Sequence, residues 1–528
     1  MYELVINNAR IVDGTGSPWR YGSVAVTEGR IAEISHAPLS GKRIIDAAGR
    51  VIAPGFIDSH SHSDSSLLLN PLAESKIRQG VTTEVIGQCG SSASPLTGAA
   101  QEEARTMLDR YGISHRWQRL GEYLSVLEEL GIAVNVVALA GHGTIRAGVM
   151  GYDDRPPTED ELAEMKRLVA EAMDDGAFGL TTGLIYPPGS YALTPEIVEL
   201  ARVVAERGGI YMTHMRDEGD RLMDSVEEAL AVGAQAGIPV QISHHKAVDP
   251  DNWGKVRQSL ARLEEARTQG IDVTCDQYPY IATATGLSSI LPGWAHEGGV
   301  NQLRARLCDP ATRSRLATEV NARQLHKGGW DRIFVSHFSG KNRANYQGKN
   351  IATIAREQGR PEVEVAFDIL LEAEGSQVGM VRFGMCEEDV VTVLRHPLVM
   401  VGSDASAVAP YGPLGEGRPH PRGYGTFPRI LGKYVREERV LTLEEAVYKM
   451  TAFPAARFGL YDRGQLFPGF RADLVVFDAE TISDRATFEN PHQYPSGIDL
   501  VVVNGVVTVE EGQHTGARAG RALRKNRG

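Results

Sequence analysis

Eight short apolar runs, each followed by turn or loop residues and most of them separated by stretches of helical periodicity, constrain this chain more than any other feature of its sequence. They occupy residues 51–58, 83–86, 133–139, 179–182, 209–213, 239–243, 272–276 and 398–403. Helical stretches fit between most of them, at 159–174, 195–207, 221–236 and 253–268, the last with apolar positions at mixed three and four spacing. Strand-like runs alternating with helices argue for an α/β chain with a parallel sheet, and eight such units close into a (β/α)8 TIM-type barrel. The seventh gap is too long for one helix, so an inserted subdomain is expected within about 281–396, placed near strand ends where it could act as a lid.

The two chain ends have a different texture. Residues 3–50 read as short strands with turn residues between them, and 473–477 and 499–507 have the same character. Strand edges need partners, so the ends are expected to pair into one small β-sandwich. The domain expectation is therefore 1–54 and 456–528 for the two halves of the sandwich, with 55–455 as the barrel. The basic, Gly/Ala-rich stretch 516–528 is expected to fray or to strap the fold.

Composition excludes some functions. A formal net charge of -12 argues against a general nucleic-acid binder, because phosphate binding wants a basic field. The N-terminus lacks a basic region followed by a long apolar run, and no stretch of about 20 apolar residues occurs later, so a cytoplasmic protein with a small-molecule partner and no membrane contact is expected. Four widely spaced cysteines (Cys89, Cys275, Cys308 and Cys386) do not make a disulfide framework, and any of them could be a metal ligand.

If the barrel is right, reactive groups should gather at the C-terminal ends of its strands. After the first run comes Asp58-Ser59-His60-Ser61-His62, where alternation sends both imidazoles to one face and makes half a metal site. Cys89 follows the second run, His214 the fifth, His244 the sixth and Asp404 the eighth. Each has a bland alternative: a small buried hydrophobe for Cys89, a satisfied loop histidine for His214, a helix cap for Asp404. Their coincidence at one end of five strands favours a metal centre. Ser59, Ser61 and Ser63 flank the histidines, but none sits in a Gly-x-Ser-x-Gly elbow, so they read as small polar linings.

Gly-Phe-Ile-Asp-Ser-His-Ser-His, the histidines closing runs five and six, and the aspartate closing run eight resemble the amidohydrolase superfamily. Within it, Cys89, the stretches 183–189, 243–246 and 276–280, His420-Pro421-Arg422 and residues 425–429 are similar to the N-acyl-D-amino-acid deacylases (D-aminoacylases). Many superfamily members place a carboxylated lysine at the end of strand four, where this chain reads Gly179-Leu180-Thr181-Thr182-Gly183. The resemblance implies that Cys89 replaces it, with one tight zinc held by Cys89, His214 and His244 and water in the fourth position. His60, His62 and Asp404 would flank that zinc, either as a weaker second site or as groups positioned around the water. Asp404 would accept the water's proton and deliver it to the departing amine. The resemblance also maps Arg422, Lys246, Tyr278 and Tyr186 to contacts with the carboxylate of an N-acyl-D-amino acid, a task that suits a guanidinium. His142, closing the third run, could line the pocket or simply belong to its loop. The alternatives are a cyclic-amide hydrolase of the dihydroorotase or hydantoinase kind, which a strand-four lysine would favour, and a barrel without chemistry serving as a scaffold, which missing ligands would mark.

Overall fold

In the computed structural model, which describes residues 1–373 and 378–525, the two ends of the chain share one nine-stranded sheet. Its spatial order runs Gln513–His514, Val506–Glu510, Ile498–Val503, Leu474–Phe477, Val51–Pro54, Tyr2–Ile11, Arg20–Thr27 and Arg30–Ser35, with Gly41–Asp46 pairing alongside Tyr2–Ile11. The sheet bends back on itself where the Ile31 N–H donates to Phe470 O and the Gly469 N–H to Ile31 O, each at 2.8 Å. Ile6, Val24 and Ile52 from one end and Leu474 and Val502 from the other fill the core so enclosed.

The expected strand 51–58 is two strands. Val51–Pro54 runs antiparallel to Leu474–Phe477 in the terminal sheet, whereas Phe56–Asp58 runs parallel to Val81–Ile86 and begins the barrel. The break falls at Gly55, where a Cβ would lie 2.3 Å from the Thr82 side chain. Every residue on both sides of the break is buried, which is why the apolar run reads as continuous.

The barrel strands are Phe56–Asp58, Val81–Ile86, Asn135–Ala138 continued by Ala140–Gly141, Gly179–Gly183, Ile210–His214, Val240–Ile242, Val273–Gln277 and Val399–Val401. They pair in parallel, in sequence order. The first and eighth meet at a seam where the Ser59 N–H reaches Val401 O (3.4 Å), the Asp404 N–H reaches His60 O (2.8 Å) and Ser61 bridges Ala405. Outer helices follow the sequence periodicity: Glu159–Asp174 buries Met165, Leu168, Val169, Ala172 and Met173 and opens with a reciprocal cap between Thr158 and Glu161.

The insertion carries an antiparallel sheet of Ala282–Gly286, Gly379–Phe383 and Ile333–His337, and a core of its own that includes Leu316, Ile333 and Phe367. It ends earlier than 396, because Glu387–Arg395 packs on Lys255–Thr268 and on the eighth strand as an ordinary barrel helix. Near the end of the chain, Ala522–Leu523 pairs in parallel with Asn135–Ala138, and the Lys525 N–H donates to Gly176 O at 3.0 Å. The tail is thus a strap across the N-terminal ends of strands three and four; 526–528 lie outside the described residues.

Candidate active site

The loops that leave the C-terminal ends of the strands bring Cys89, His60, His62, His214, His244 and Asp404 together. Cys89 rides on a turn in which Gly87 (φ 80°), Cys89 itself (φ 53°) and Gly90 (φ 76°) are all left-handed. That turn is held from strand four, where the Thr181 hydroxyl donates to Gly87 O (2.6 Å) and accepts from the Gly90 N–H (3.1 Å). The place where a strand-four lysine would stand is therefore used to aim the cysteine. His244 (φ 36°) and Asp404 (φ 52°) are left-handed too. Such backbone costs about 1–3 kcal/mol per residue and persists only where surroundings enforce it, as at functional sites.

The donor atoms converge. Cys89 Sγ lies 3.3 Å from both His60 Nε2 and His244 Nε2, and the donors of His60, Cys89, His244 and Asp404 all fall within 4.8 Å of one another. Asp404 Oδ1 is 2.9 Å from His62 Nε2 and 3.5 Å from His60 Nε2. His214 packs its ring edge against His244 at 4.4 Å between centroids; its Nε2 lies 3.8 Å from Glu218 Oε2, and among the described residues neither of its buried ring nitrogens has a hydrogen-bond partner. Two orphaned nitrogens beside a thiol, further imidazoles and a carboxylate are what a borderline-soft divalent cation would satisfy, so the residues fit zinc.

Electrostatics follow from this crowding. Burial opposes ionisation of Cys89, but the neighbouring His60 and His244 outweigh it and hold the thiol well below its ordinary range. Burial likewise works against protonation of His62, yet its bonds to Asp404 and Cys89 raise its pKa to about 9. Asp404 is kept well below the usual carboxylate range because the Arg422 guanidinium and adjacent imidazoles outweigh its burial.

The expected substrate contacts ring the same space. Arg422 Nη1 is 2.6 Å from Asp404 Oδ2, its Nη2 donates to Ala284 O of the insertion, and its guanidinium stands 4.6 Å from the Tyr278 ring centroid. Lys246 Nζ is held by Glu218 Oε1 at 2.6 Å. Tyr186 packs on the His214 ring and pairs its hydroxyl with Thr285 of the insertion at 3.0 Å. His142 is elsewhere, buried with Nε2 2.8 Å from Glu196 Oε1 and Arg146 alongside. The three serines are engaged as linings: Ser59 donates to Val401 O, while Ser61 and Ser63 donate to Glu84.

Sequence reasoning passed over Glu218, Asp276 and Lys76. Glu218 Oε1 lies 3.0 Å from His244 Nδ1, and Asp276 Oδ1 lies 3.3 Å from His60 Nδ1 while accepting the His244 N–H at 2.8 Å. The signal for Glu218 was its place four residues after His214, and for Asp276 its place on strand seven at the head of the stretch 276–280.

A parallel barrel with thiol, imidazole and carboxylate donors gathered at its C-terminal mouth defines a metal-centred barrel enzyme. The chain belongs to the amidohydrolase family, whose model matches residues 43–509. It is 39% identical to the D-aminoacylase of Alcaligenes xylosoxydans xylosoxydans, over 99% of this chain and 97% of that protein. It is 38% identical to the N-acyl-D-aspartate deacylase of the same organism, over 99% and 95%. Among solved structures, the N-acyl-D-glutamate deacylase of Bordetella bronchiseptica, complexed with zinc and a phosphonate inhibitor that mimics the tetrahedral intermediate, superposes with a TM-score of 0.83 at 36% identity and covers 99% of both chains.

Proposed function

We propose that this chain hydrolyses the amide bond of N-acyl-D-amino acids, releasing a carboxylate and a free D-amino acid, with zinc as its metal. The observation that carries the reading is the convergence of Cys89, His60, His244 and Asp404 within 4.8 Å beside His214, whose ring nitrogens make no hydrogen bond among the described residues, in a chain that matches deacylases of this class over nearly its whole length. Cys89, His214 and His244 would hold the tight zinc; His60 and His62 would flank it or complete a weaker second site. When bound, zinc supplies Lewis acidity to the scissile carbonyl and to water. Asp404 takes the proton of the attacking water and returns it to the leaving amine.

Arg422 and Lys246 are the cations that would orient the substrate's carboxylate, with Tyr278 and Tyr186 shaping the space around it. Both cations are paired with carboxylates, Arg422 with Asp404 and Lys246 with Glu218. Of these relatives, one is named for N-acyl-D-aspartate, one for N-acyl-D-glutamate and one for no particular side chain, at nearly equal identity, so identity does not select a side chain. A cyclic-amide hydrolase is disfavoured because strand four, Gly179–Gly183, ends in Thr181, Thr182 and Gly183, the threonines buried and hydrogen-bonded, with no lysine. We further place the enzyme in the cytoplasm: its cysteines are free, and no helix among the described residues is long and apolar enough to cross a membrane.

The test is amine release over a panel of N-acyl-D-amino acids, N-acyl-L-amino acids and cyclic amides, with zinc content measured in parallel. Turnover confined to the D-series, with about one tightly held zinc that Cys89→Ala removes together with activity, is expected. Preference for cyclic amides, or full zinc and full turnover in Cys89→Ala, would overturn the reading.

A further inference from the structure

Beneath the histidine pair lies a lysine with no accessible surface. Lys76, on the short helix Glu74–Ile77, points its ammonium into the seam between the first and eighth barrel strands. Its Nζ is 2.6 Å from Asp58 Oδ2, 2.6 Å from Ser403 Oγ, 2.7 Å from Ala405 O and 3.4 Å from Ser61 Oγ, with Glu84 Oε2 at 3.8 Å. Asp58 closes the circuit by accepting both the Ser403 N–H (2.8 Å) and the Ser403 hydroxyl (2.6 Å).

These partners are the two residues that bracket Asp404 and the aspartate two positions before His60. Asp404 has a left-handed backbone, φ 52°, which is uncommon for a residue other than glycine although aspartate enters it more readily than most. Its N–H is fixed to His60 O, and the residues on either side of it are fixed by Lys76, directly at Ser403 and Ala405 and again through Asp58. A buried ammonium is costly unless fully paired, and replacing a buried ion pair with apolar residues is often neutral for stability, so stability alone does not explain a lysine here. Lys449 makes the contrast: it is also buried and donates to two backbone carbonyls, His396 O and Val399 O, but it makes no contact with the site.

We propose that Lys76 is a positioning residue for the hydrolysis: it fixes the strained backbone that aims the Asp404 carboxylate, without touching substrate or metal. The inference rests on the reading of Asp404 as the proton shuttle. It is tested by a double-mutant cycle in which Lys76→Met and Ser403→Ala are each made in the wild-type and in the Asp404→Asn background, with kcat, KM, zinc per chain and Tm measured for every protein. Lys76→Met is expected to lower kcat by about 10- to 100-fold with KM and zinc content within about twofold of wild type, since displacement of a reacting group by about 1 Å can cost that much. In the Asp404→Asn background the same change should cost less than about twofold, because two residues acting through one step are non-additive.

A merely structural lysine would give equal losses in both backgrounds, or a kcat that falls in step with zinc content, and either result overturns the proposal. Should Lys76→Met fail to fold, Ser403→Ala carries the same comparison, for it cuts the link beside Asp404 and leaves the Lys76–Asp58 pair. Wild-type rates in Asp404→Asn alone would remove the base and this inference with it, an outcome distinct from additive losses.

Discussion

His244 is asked to do two incompatible things unless Glu218 decides between them. For Nε2 to offer its lone pair toward Cys89 and a metal, Nδ1 must carry the proton and needs an acceptor. Lys246 Nζ, 2.7 Å from Nδ1, is a donor; Glu218 Oε1, 3.0 Å away, can accept from both. Glu218 is therefore expected to select that tautomer, as carboxylates behind metal-bound histidines do. Glu218→Gln is expected to weaken zinc binding by about 10- to 100-fold, read by competition with a chromophoric chelator; unchanged affinity would give the tautomer to another group. Arg422 poses a sharper question, because it pairs with Asp404, the residue proposed as the base. If it also clamps the substrate's carboxylate, Arg422→Ala should lose about 2 to 4 kcal/mol in kcat/KM toward N-acyl-amino acids and much less toward the matching amides, which lack the carboxylate. Equal losses on acid and amide would assign Arg422 to Asp404 alone.

Among the elements, the helix Glu159–Asp174 shows how local chemistry sets a boundary and a pH response. Arg155 grips Glu161 through both guanidinium nitrogens, at 2.7 and 2.8 Å, and Glu161 in turn accepts the Thr158 N–H. These bonds, the one from Arg155 foremost, pull the Glu161 carboxyl down to about 2. The folded pKa lies below that of an unfolded glutamate, so the stabilisation is complete above about pH 4.3 and is lost as pH falls toward 2. The gap in Tm between wild type and Glu161→Gln, measured by calorimetry, should therefore be largest near neutrality and close between pH 4 and 2; a gap independent of pH would separate the cap from the charge. The insertion acts on the site from above, its first strand supplying Ala284 O to Arg422 and the Thr285 hydroxyl to Tyr186.

On the scale of the molecule, the chemistry and the C-terminal strap lie at opposite ends of the barrel. The strap pairs with strand three at Val136 and Val137, while the donors lie beyond the far ends of the strands. Truncation after Thr515 should lower Tm by roughly 3 to 8 °C, on the scaling for a loss of a few kcal/mol in a large domain, and leave kcat/KM within about twofold at 25 °C. A large loss of kcat at an unchanged Tm would mean that the strap is coupled to the site. The sequence by itself determined the eight strands and the pairing of the chain ends, because strand and helix periods and turn residues are written in neighbouring positions; for the donors it offered candidates of the right chemistry at strand ends. Only the tertiary structure decided that the run 51–58 divides at Gly55, that the insertion gives way to a barrel helix at Glu387, and that Arg422 pairs with Asp404. It also brought Glu218, Asp276 and Lys76 to their partners. Asp58 and Ser403 stand 345 positions apart yet share two hydrogen bonds, and Lys76 acts only where those two segments converge. A buried polar residue takes its meaning from partners brought to it by the closing of the barrel, and no local pattern encodes that convergence.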